Sequence, residues 1–518
     1  MSSVKTNIIA NYSGSVCSGL MGLVFVPLYI KFMGIESYGL VGFFSTIWSI
    51  FSFLDMGLGA TLNREMARRS ALPGQAQTTR DLLRTLEIIY WPVAVLVGAS
   101  VIGLAGPIAK YWITSQKLSV ADVRQAVMIM GLVLVLRWPF TLYEGGLMGL
   151  QKQVTVNILN AISGTFRGLG AVLVLWLISP TIQAFFCWQI IVSGFETLAI
   201  AFCLWISLPK ADRRSRFQQS VLREIRQFAT GVMGINVAAF ISNSADKVLL
   251  SKMLTLEMYG FYMLAWTLAG ALGRLIGPAT IAVFPRISQA VVSRNMETLT
   301  EFYHKSCQFM SLMVLPIGCV LAVFSYEIFL IWTGNSHIAQ QVHLVATLLV
   351  LGTACNAMMS IPYWTQLAYG WTSLAFWTNV VSIIVLVPTL VILTHIYGMI
   401  AGGIVWALLN QGYFIFAIPI MHGRILKKEM WRWYLYDTGL PFVAALAPAL
   451  IGKLLFSDAS STTWRIATLS FITLVCYVSV TAVTRDIRHG VIELIRKRFL
   501  CLIRFMPGSV IKSSPEVR

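Results

Sequence analysis

Charge is scarce in this chain. Only 12% of its 518 residues are charged, where soluble domains carry about 25%. Acids are the scarcer sign, 21 against 39 lysines and arginines. A soluble core cannot absorb the 57% of residues that are hydrophobic, which excludes a water-soluble enzyme. Other absences narrow the classes further. No Gly-rich phosphate loop and no His-x-x-x-His pair is present, which argues against ATP-driven pumping by this chain alone. The eight cysteines (17, 187, 203, 307, 319, 355, 476, 501) fall in apolar spans or the terminal tail, and none has zinc-ligand spacing. No disulfide framework, metal, cofactor or catalytic group is therefore expected.

What remains is apolar length. Mean hydropathy is +0.75, and crossing the hydrocarbon takes about 20 apolar residues. That rule gives about fourteen spans, near 7–32, 37–62, 84–106, 122–148, 154–178, 183–206, 229–252, 258–282, 303–331, 341–368, 374–396, 400–420, 437–456 and 464–484. The expected fold is an all-α polytopic membrane protein. The outset, Met1 to Lys5, leads into a long first span without the short apolar region and cleavage site of a removed signal, so that span is expected to be retained.

The net charge of +18 is mostly a topology signal rather than a nucleic-acid footprint. With the first residues inside, the basic groups crowd the inner loops: Arg64, Arg68, Arg69, Arg80 and Arg84, then Lys210 to Arg226, Arg424 to Arg432 and the tail. The outer side keeps only Lys31, Lys110, Lys117, Arg124, Lys252, Lys453 and Arg465. This is the positive-inside bias, and it puts both termini in the cytoplasm. Outer loops are short, the longest about 107–121, and no clustered acidic motif accompanies them.

An internal repeat organises the chain. Lys31-Phe-Met-Gly-Ile-Glu36-Ser-Tyr38-Gly39 returns as Lys252-Met-Leu-Thr-Leu-Glu257-Met-Tyr259-Gly260, with Lys, Glu, Tyr and Gly kept. Parallel repeats about an axis along the membrane normal are a transporter architecture. The expected divisions are a six-helix half over 1–207, a cytoplasmic linker over 208–228, a second six-helix half over 229–422, two further helices over 437–484, and a cytoplasmic tail over 485–518. In that tail Ile487, Val491, Leu494, Ile495 and Phe499 share one face against Arg and Lys, the pattern of an interfacial helix on anionic lipid.

Ionisable groups inside spans each cost about 2.5–3.5 kcal/mol at a helix centre. The basic ones are Arg137, Arg167, Lys247 and Arg274, and the acidic ones Asp55, Glu87, Glu144, Glu196 and Asp246. Three guanidiniums near mid-membrane must line water or find partners. Helical spacing supports a lining: Asn157, Asn160, Gly164 and Arg167 share one face, as do Arg137, Thr141 and Glu144, then Asn236, Asn243 and Asp246, then Trp266, Gly270, Arg274 and Gly277. Guanidinium suits bidentate phosphate or carboxylate binding, and Trp138 and Trp266 have faces on which sugars stack. Structural pairing, such as Arg137 with Glu144, remains the competing reading, as packing does for the tryptophans. Asp55, Glu144 and Asp246 are the proton-coupling candidates, because burial raises a carboxyl toward neutrality. Asp246-Lys247 reads equally as a neutralised pair. The substrate-binding candidates are Arg137, Arg167, Arg274, Lys247, Asn157 and Asn160.

The segments Asn11-Tyr-Ser-Gly, Pro27-Leu-Tyr-Ile-Lys31-Phe-Met-Gly34-Ile-Glu36-Ser-Tyr38-Gly39 and Leu54-Asp55-Met-Gly57-Leu-Gly59…Arg64 resemble the polysaccharide transporters, the Wzx-type oligosaccharide-lipid flippases of the multidrug/oligosaccharidyl-lipid/polysaccharide exporter superfamily. Length, two six-helix halves and two extra helices extend the similarity over essentially the whole chain. The resemblance implies a V-shaped bundle whose cavity opens alternately to each side. It implies carriage of undecaprenyl-diphosphate-linked oligosaccharide from the inner to the outer leaflet of a bacterial cell membrane, driven by proton exchange. Its partners would be the lipid-linked oligosaccharide, membrane lipids, and the polysaccharide polymerase and chain-length machinery. Asp55 and Arg64 occupy the family's Asp-x-Gly…Arg stretch. The related drug antiporters often carry an acid in the first span, which this chain lacks. A drug antiporter and a membrane-embedded glycosyltransferase or polymerase are the alternatives.

Overall fold

The structure is a computed structural model that describes residues 21–53, 57–70, 72, 74–211, 213–219, 241, 244–455 and 461–488. Asp55, Asn236, Asn243, most of the first span and the amphipathic tail beyond Arg488 lie outside the described residues. Among the described residues the chain is helical, without a β-sheet; one isolated bridge joins Thr114 to Thr255.

The first helices in chain order are α1 (Val26–Phe53), α2 (Leu58–Ser70), α3 (Ala76–Pro107), α4 (Val120–Arg137), α5 (Phe140–Gly149), α6 (Gln153–Leu177), α7 (Ile182–Ser207) and α8 (Leu256–Gly273). They are followed by α9 (Ile276–Val292), α10 (Met296–Val323), α11 (Ser325–Thr333), α12 (Ser336–Met358), α13 (Ser360–Ala368), α14 (Ser373–Tyr397), α15 (Ile400–Gly412), α16 (Ile418–Arg424), α17 (Leu440–Leu455) and α18 (Thr462–Val483). Ten helical segments of the described residues are long and apolar enough to cross a membrane. Side chains such as Ile384, Phe202 and Leu454 stand exposed on them, which is the composition of a lipid-facing surface.

Local chemistry sets the boundaries. Ser119, Thr181, Thr255, Asn295 and Ser461 each cap a helix by accepting a backbone N–H three residues on. Several expected spans are jointed rather than continuous. Gly34, at φ 83°, kinks α1, a conformation open to glycine at little cost. Trp138-Pro139 separates α4 from α5, and Phe324 separates α10 from α11. Three π-helical turns, Ile108–Trp112, Tyr413–Ala417 and Trp433–Gly439, interrupt others.

The chain divides into two compact units. One comprises 1–274, 325–353 and 372–413; the other 275–324, 354–371 and 414–518. The first has an apolar core in which Leu62, Leu82, Leu86, Tyr90, Trp138, Leu142 and Leu204 are buried. Inside it, α1 and α8 cross so closely that a Cβ built on Gly39 would stand 2.4 Å from the Leu256 carbonyl oxygen, and one on Gly260 would stand 2.5 Å from that of Ile35. The contacts are reciprocal, because Leu256 follows Ile35 at the same interval at which Gly260 follows Gly39. Two hydrogen bonds obey the same rule: Tyr38 Oη with Thr267 Oγ1 at 2.9 Å, and Tyr259 Oη with Thr46 Oγ1 at 2.7 Å. Related residues meeting each other's counterparts is the signature of a two-fold contact, here made by the two copies of the repeat. The second unit is built on α10, against which α17, α18, α9 and the turn Trp433–Gly439 are packed.

Candidate functional site

In the first unit the sequence-predicted charges gather in two clusters. The first forms where α6 and α7 face each other. Arg167 Nη2 lies 2.5 Å from Glu196 Oε2, and Nη1 donates to Gln189 Oε1 at 2.7 Å. Gln189 and Glu196 are seven residues apart, two helical turns, so α7 presents both to one guanidinium. Neither partner of the ion pair is far from solvent exclusion, at 19% and 11% side-chain exposure. Asn160, on the face of α6 that carries Arg167, donates to Glu144 Oε1 at 3.2 Å. Asn157, half-buried on the same helix, is engaged by other groups.

Arg137 stands apart from these pairings. It closes α4, and its guanidinium lies 4.4 Å over the Trp48 ring of α1. Among the described residues it makes no hydrogen bond or ion pair. The competing reading, a pairing with Glu144, does not form, because Trp138-Pro139 breaks the helix between them and Glu144 is taken by Asn160. The same break turns Thr141 away to Tyr90 Oη, at 3.0 Å. Trp138 is a core residue: 2% exposed, stacked on Tyr90 at 4.4 Å, its indole N–H donated to the Phe51 carbonyl.

The second cluster surrounds Asp246. Its carboxylate accepts from Tyr262 Oη at 2.5 Å and from Trp266 Nε1 at 3.0 Å, and Lys247 Nζ lies 3.3 Å away. Lys247 also stands 3.8 Å over the Trp266 ring. Tyr262 and Trp266 are one turn apart on α8, so the indole edge meets the acid while its face meets the ammonium. A cavity of about 30 Å³ adjoins Asp246, Ser382, Trp406 and Leu409, enough to admit water. Arg274 caps the end of α8, its backbone N–H donating to the Gly270 carbonyl, and is exposed; its side chain makes no hydrogen bond or ion pair among the described residues.

Glu87 is caged: it accepts from Tyr143 Oη at 3.0 Å and Trp205 Nε1 at 2.8 Å, and pairs with Arg84 at 3.2 Å. Sequence reasoning missed Gln189 and Trp48 as partners of the arginines. The seven-residue spacing of Gln189 and Glu196 was a usable signal; nothing local marks Trp48. Chemically, the first cluster offers one neutralised guanidinium and one, Arg137, whose donors hold no partner among the described residues.

A helical, multi-span chain with charges turned inside its bundle has the build of a membrane transporter, and solved transporters share the fold. The lipid II flippase MurJ, in an inward closed conformation, superposes with a TM-score of 0.70 at 14% identity over 93% of this chain and 99% of that one. An inward-facing multidrug resistance transporter of the MATE family, in the MOP superfamily, matches with 0.63 at 13% identity over 81% and 99%. A curated relative from Shigella flexneri, named for O-antigen transport, is 21% identical over 412 residues, 78% of this chain and 94% of that one. Residues 4–291 match the family described as polysaccharide biosynthesis protein. The chain belongs to that family.

Proposed function

We propose that this multi-pass membrane protein is a flippase that carries a lipid-linked oligosaccharide, on undecaprenyl diphosphate, from the inner to the outer leaflet of the bacterial inner membrane by alternating access. Both termini face the cytoplasm in this reading, and the product feeds O-antigen, capsule or exopolysaccharide assembly by a polymerase and its chain-length machinery. The observation that carries it is Arg137: a guanidinium in an apolar bundle, braced on Trp48 and, among the described residues, holding no carboxylate. Such a group is suited to a phosphate or an acidic sugar. Arg274 offers a second guanidinium, unpaired among the described residues, and Lys247, Asn157 and Asn160 add polar contacts. Arg167 acts on the pocket through Glu196 rather than by free charge.

The test is the distribution of lipid-linked oligosaccharide in cells lacking the protein. Accumulation on the cytoplasmic leaflet, reversed by wild type and not by Arg137→Ala, supports the reading. Absence of accumulation, with a loss of drug resistance instead, replaces it with the antiporter. Sugar transfer to a new acceptor by the purified protein replaces it with the glycosyltransferase.

A further inference from the structure

The second unit holds a titratable cluster that the function above does not use. His304, on α10, is 0% exposed, and both of its ring nitrogens face carboxylates. Nδ1 meets Asp437 Oδ2, and Nε2 stands 3.0 Å from Glu429 Oε2. Asp437 is also 0% exposed. It lies in the π-helical turn Trp433–Gly439, an irregularity frequent at functional sites. The face of α10 that carries His304 grips this turn twice more. Gln308 Nε2 donates to Asp437 Oδ1 at 3.0 Å, and Ser311 Oγ donates to the Asp437 carbonyl.

Counting protons gives the site its meaning. An ionised carboxylate only accepts, so each contact with the ring needs a proton, on the nitrogen or on the carboxyl oxygen. Two contacts therefore hold two protons. In neutral water two ionised carboxylates and one imidazole hold a single proton, on the uncharged ring. We propose that Asp437–His304–Glu429 is a proton-binding site, in which docking of residues 429–439 on α10 takes up one proton and undocking releases it. Removing the proton leaves a ring lone pair against a carboxylate oxygen, an unsatisfied contact in a buried place. The sign follows: the docked state binds more protons, so docking strengthens as pH falls and weakens as pH rises.

The surroundings fit this assignment. Glu429 keeps 27% side-chain exposure with Arg432 3.7 Å away, which gives the proton its way to water. On α10 itself Tyr303 and Cys307 are neighbours, and the Tyr303 hydroxyl pairs with His422 Nε2 at 3.2 Å. His422 Nδ1 is bonded to the Ile418 carbonyl, so that ring carries its proton there and accepts from Tyr303. From α9, Arg286 sits over Phe302, and Lys453 of α17 over Phe324, both rings of the α10 region rather than His304. Tyr434 lies on the Asp437 turn and donates to the Phe414 carbonyl. Asp486, beyond α18, gives its backbone N–H to Gln308. Both nitrogens of His304 are thus committed to the two acids.

The proposal rests on the flippase reading only in making this proton the one that drives the cycle; the site is tested without substrate. Hydrogen exchange of peptides covering 429–439 is followed by mass spectrometry in the full chain in lipid nanodiscs from pH 6 to 9, corrected for intrinsic rates. Release of one proton predicts protection that falls up to tenfold per pH unit. In Glu429→Gln the amide donates to an uncharged ring, so no extra proton is needed and the slope vanishes. His304→Gln is expected to do the same, and Glu429→Gln decides alone should that variant misfold. Flat protection in wild type, or an undiminished slope in Glu429→Gln, overturns the proposal. Failure of flipping in cells with the slope intact removes the flippase reading and leaves the site.

Discussion

Replacing Gly39 by alanine tests the two-fold crossing of α1 and α8 most directly. The new Cβ would meet the Leu256 carbonyl oxygen at 2.4 Å, where ordinary contact begins at 3.4 Å. Both atoms are fixed to backbone, so no rotamer relieves the clash and the helices must part by about 1 Å, the difference between those distances. The flanking bonds, now 2.9 and 2.7 Å, would then exceed hydrogen-bonding reach. Overpacking costs about 1–3 kcal/mol, and each lost bond about 0.5–1.5 kcal/mol more. Gly260→Ala should cost a similar amount, and the double variant less than the sum, since one displacement relieves both clashes. Gly103→Ala is the control, with no atom within 4 Å of its Cβ position. Thermal unfolding in detergent should rank wild type and Gly103→Ala together, above both crossing variants. Equal stability of Gly39→Ala and Gly103→Ala would refute the reasoning.

Other expectations follow from single contacts. Arg167→Ala strands Glu196 in the bundle and should destabilise the fold by about 3–5 kcal/mol; the Arg167→Ala/Glu196→Ala pair should recover part of this in a double-mutant cycle. Among the described residues Arg137→Ala loses only the contact with Trp48, about 0.5–2 kcal/mol, so unfolding should barely move while lipid-linked oligosaccharide accumulates in cells. Glu36 accepts the backbone N–H groups of Gln116 and Lys117 at 2.6 and 2.8 Å. Glu36→Gln weakens both charge-assisted bonds, each worth about 1.5–3 kcal/mol, and limited proteolysis should then cut the 113–119 loop faster than in wild type.

The sequence made much of the fold legible because its signals are local. The polar stripe of Asn157, Asn160 and Arg167 survives intact on α6, since helical spacing alone sets which residues share a face. The stripe of Arg137, Thr141 and Glu144 does not survive. It assumed one helix through Trp138-Pro139, where the chain instead starts a new one. Asp246-Lys247 was visible as an adjacent pair, while Tyr262 and Trp266, which hold the acid from α8, came into view only with the packing of α8 on the 244–253 helix. His304, Asp437 and Glu429 escaped notice altogether: they are widely separated in sequence, and no periodicity links an α10 histidine to acids across a π-helical turn.

Apolar length by itself determined that this is a helical membrane protein, because a bilayer admits a continuous helix only where some twenty residues tolerate hydrocarbon. The repeated Glu-x-Tyr-Gly block likewise marked, in α1 and α8, two segments that pack on each other. Which charge meets which partner was decided by tertiary structure alone. Arg167 is neutralised by Glu196 and Arg137 is left to an aromatic face because of how far neighbouring helices approach and rotate. Those quantities are set by contacts such as Gly39 against Leu256 and by breaks such as Pro139, where residues distant in sequence exclude or admit each other by volume.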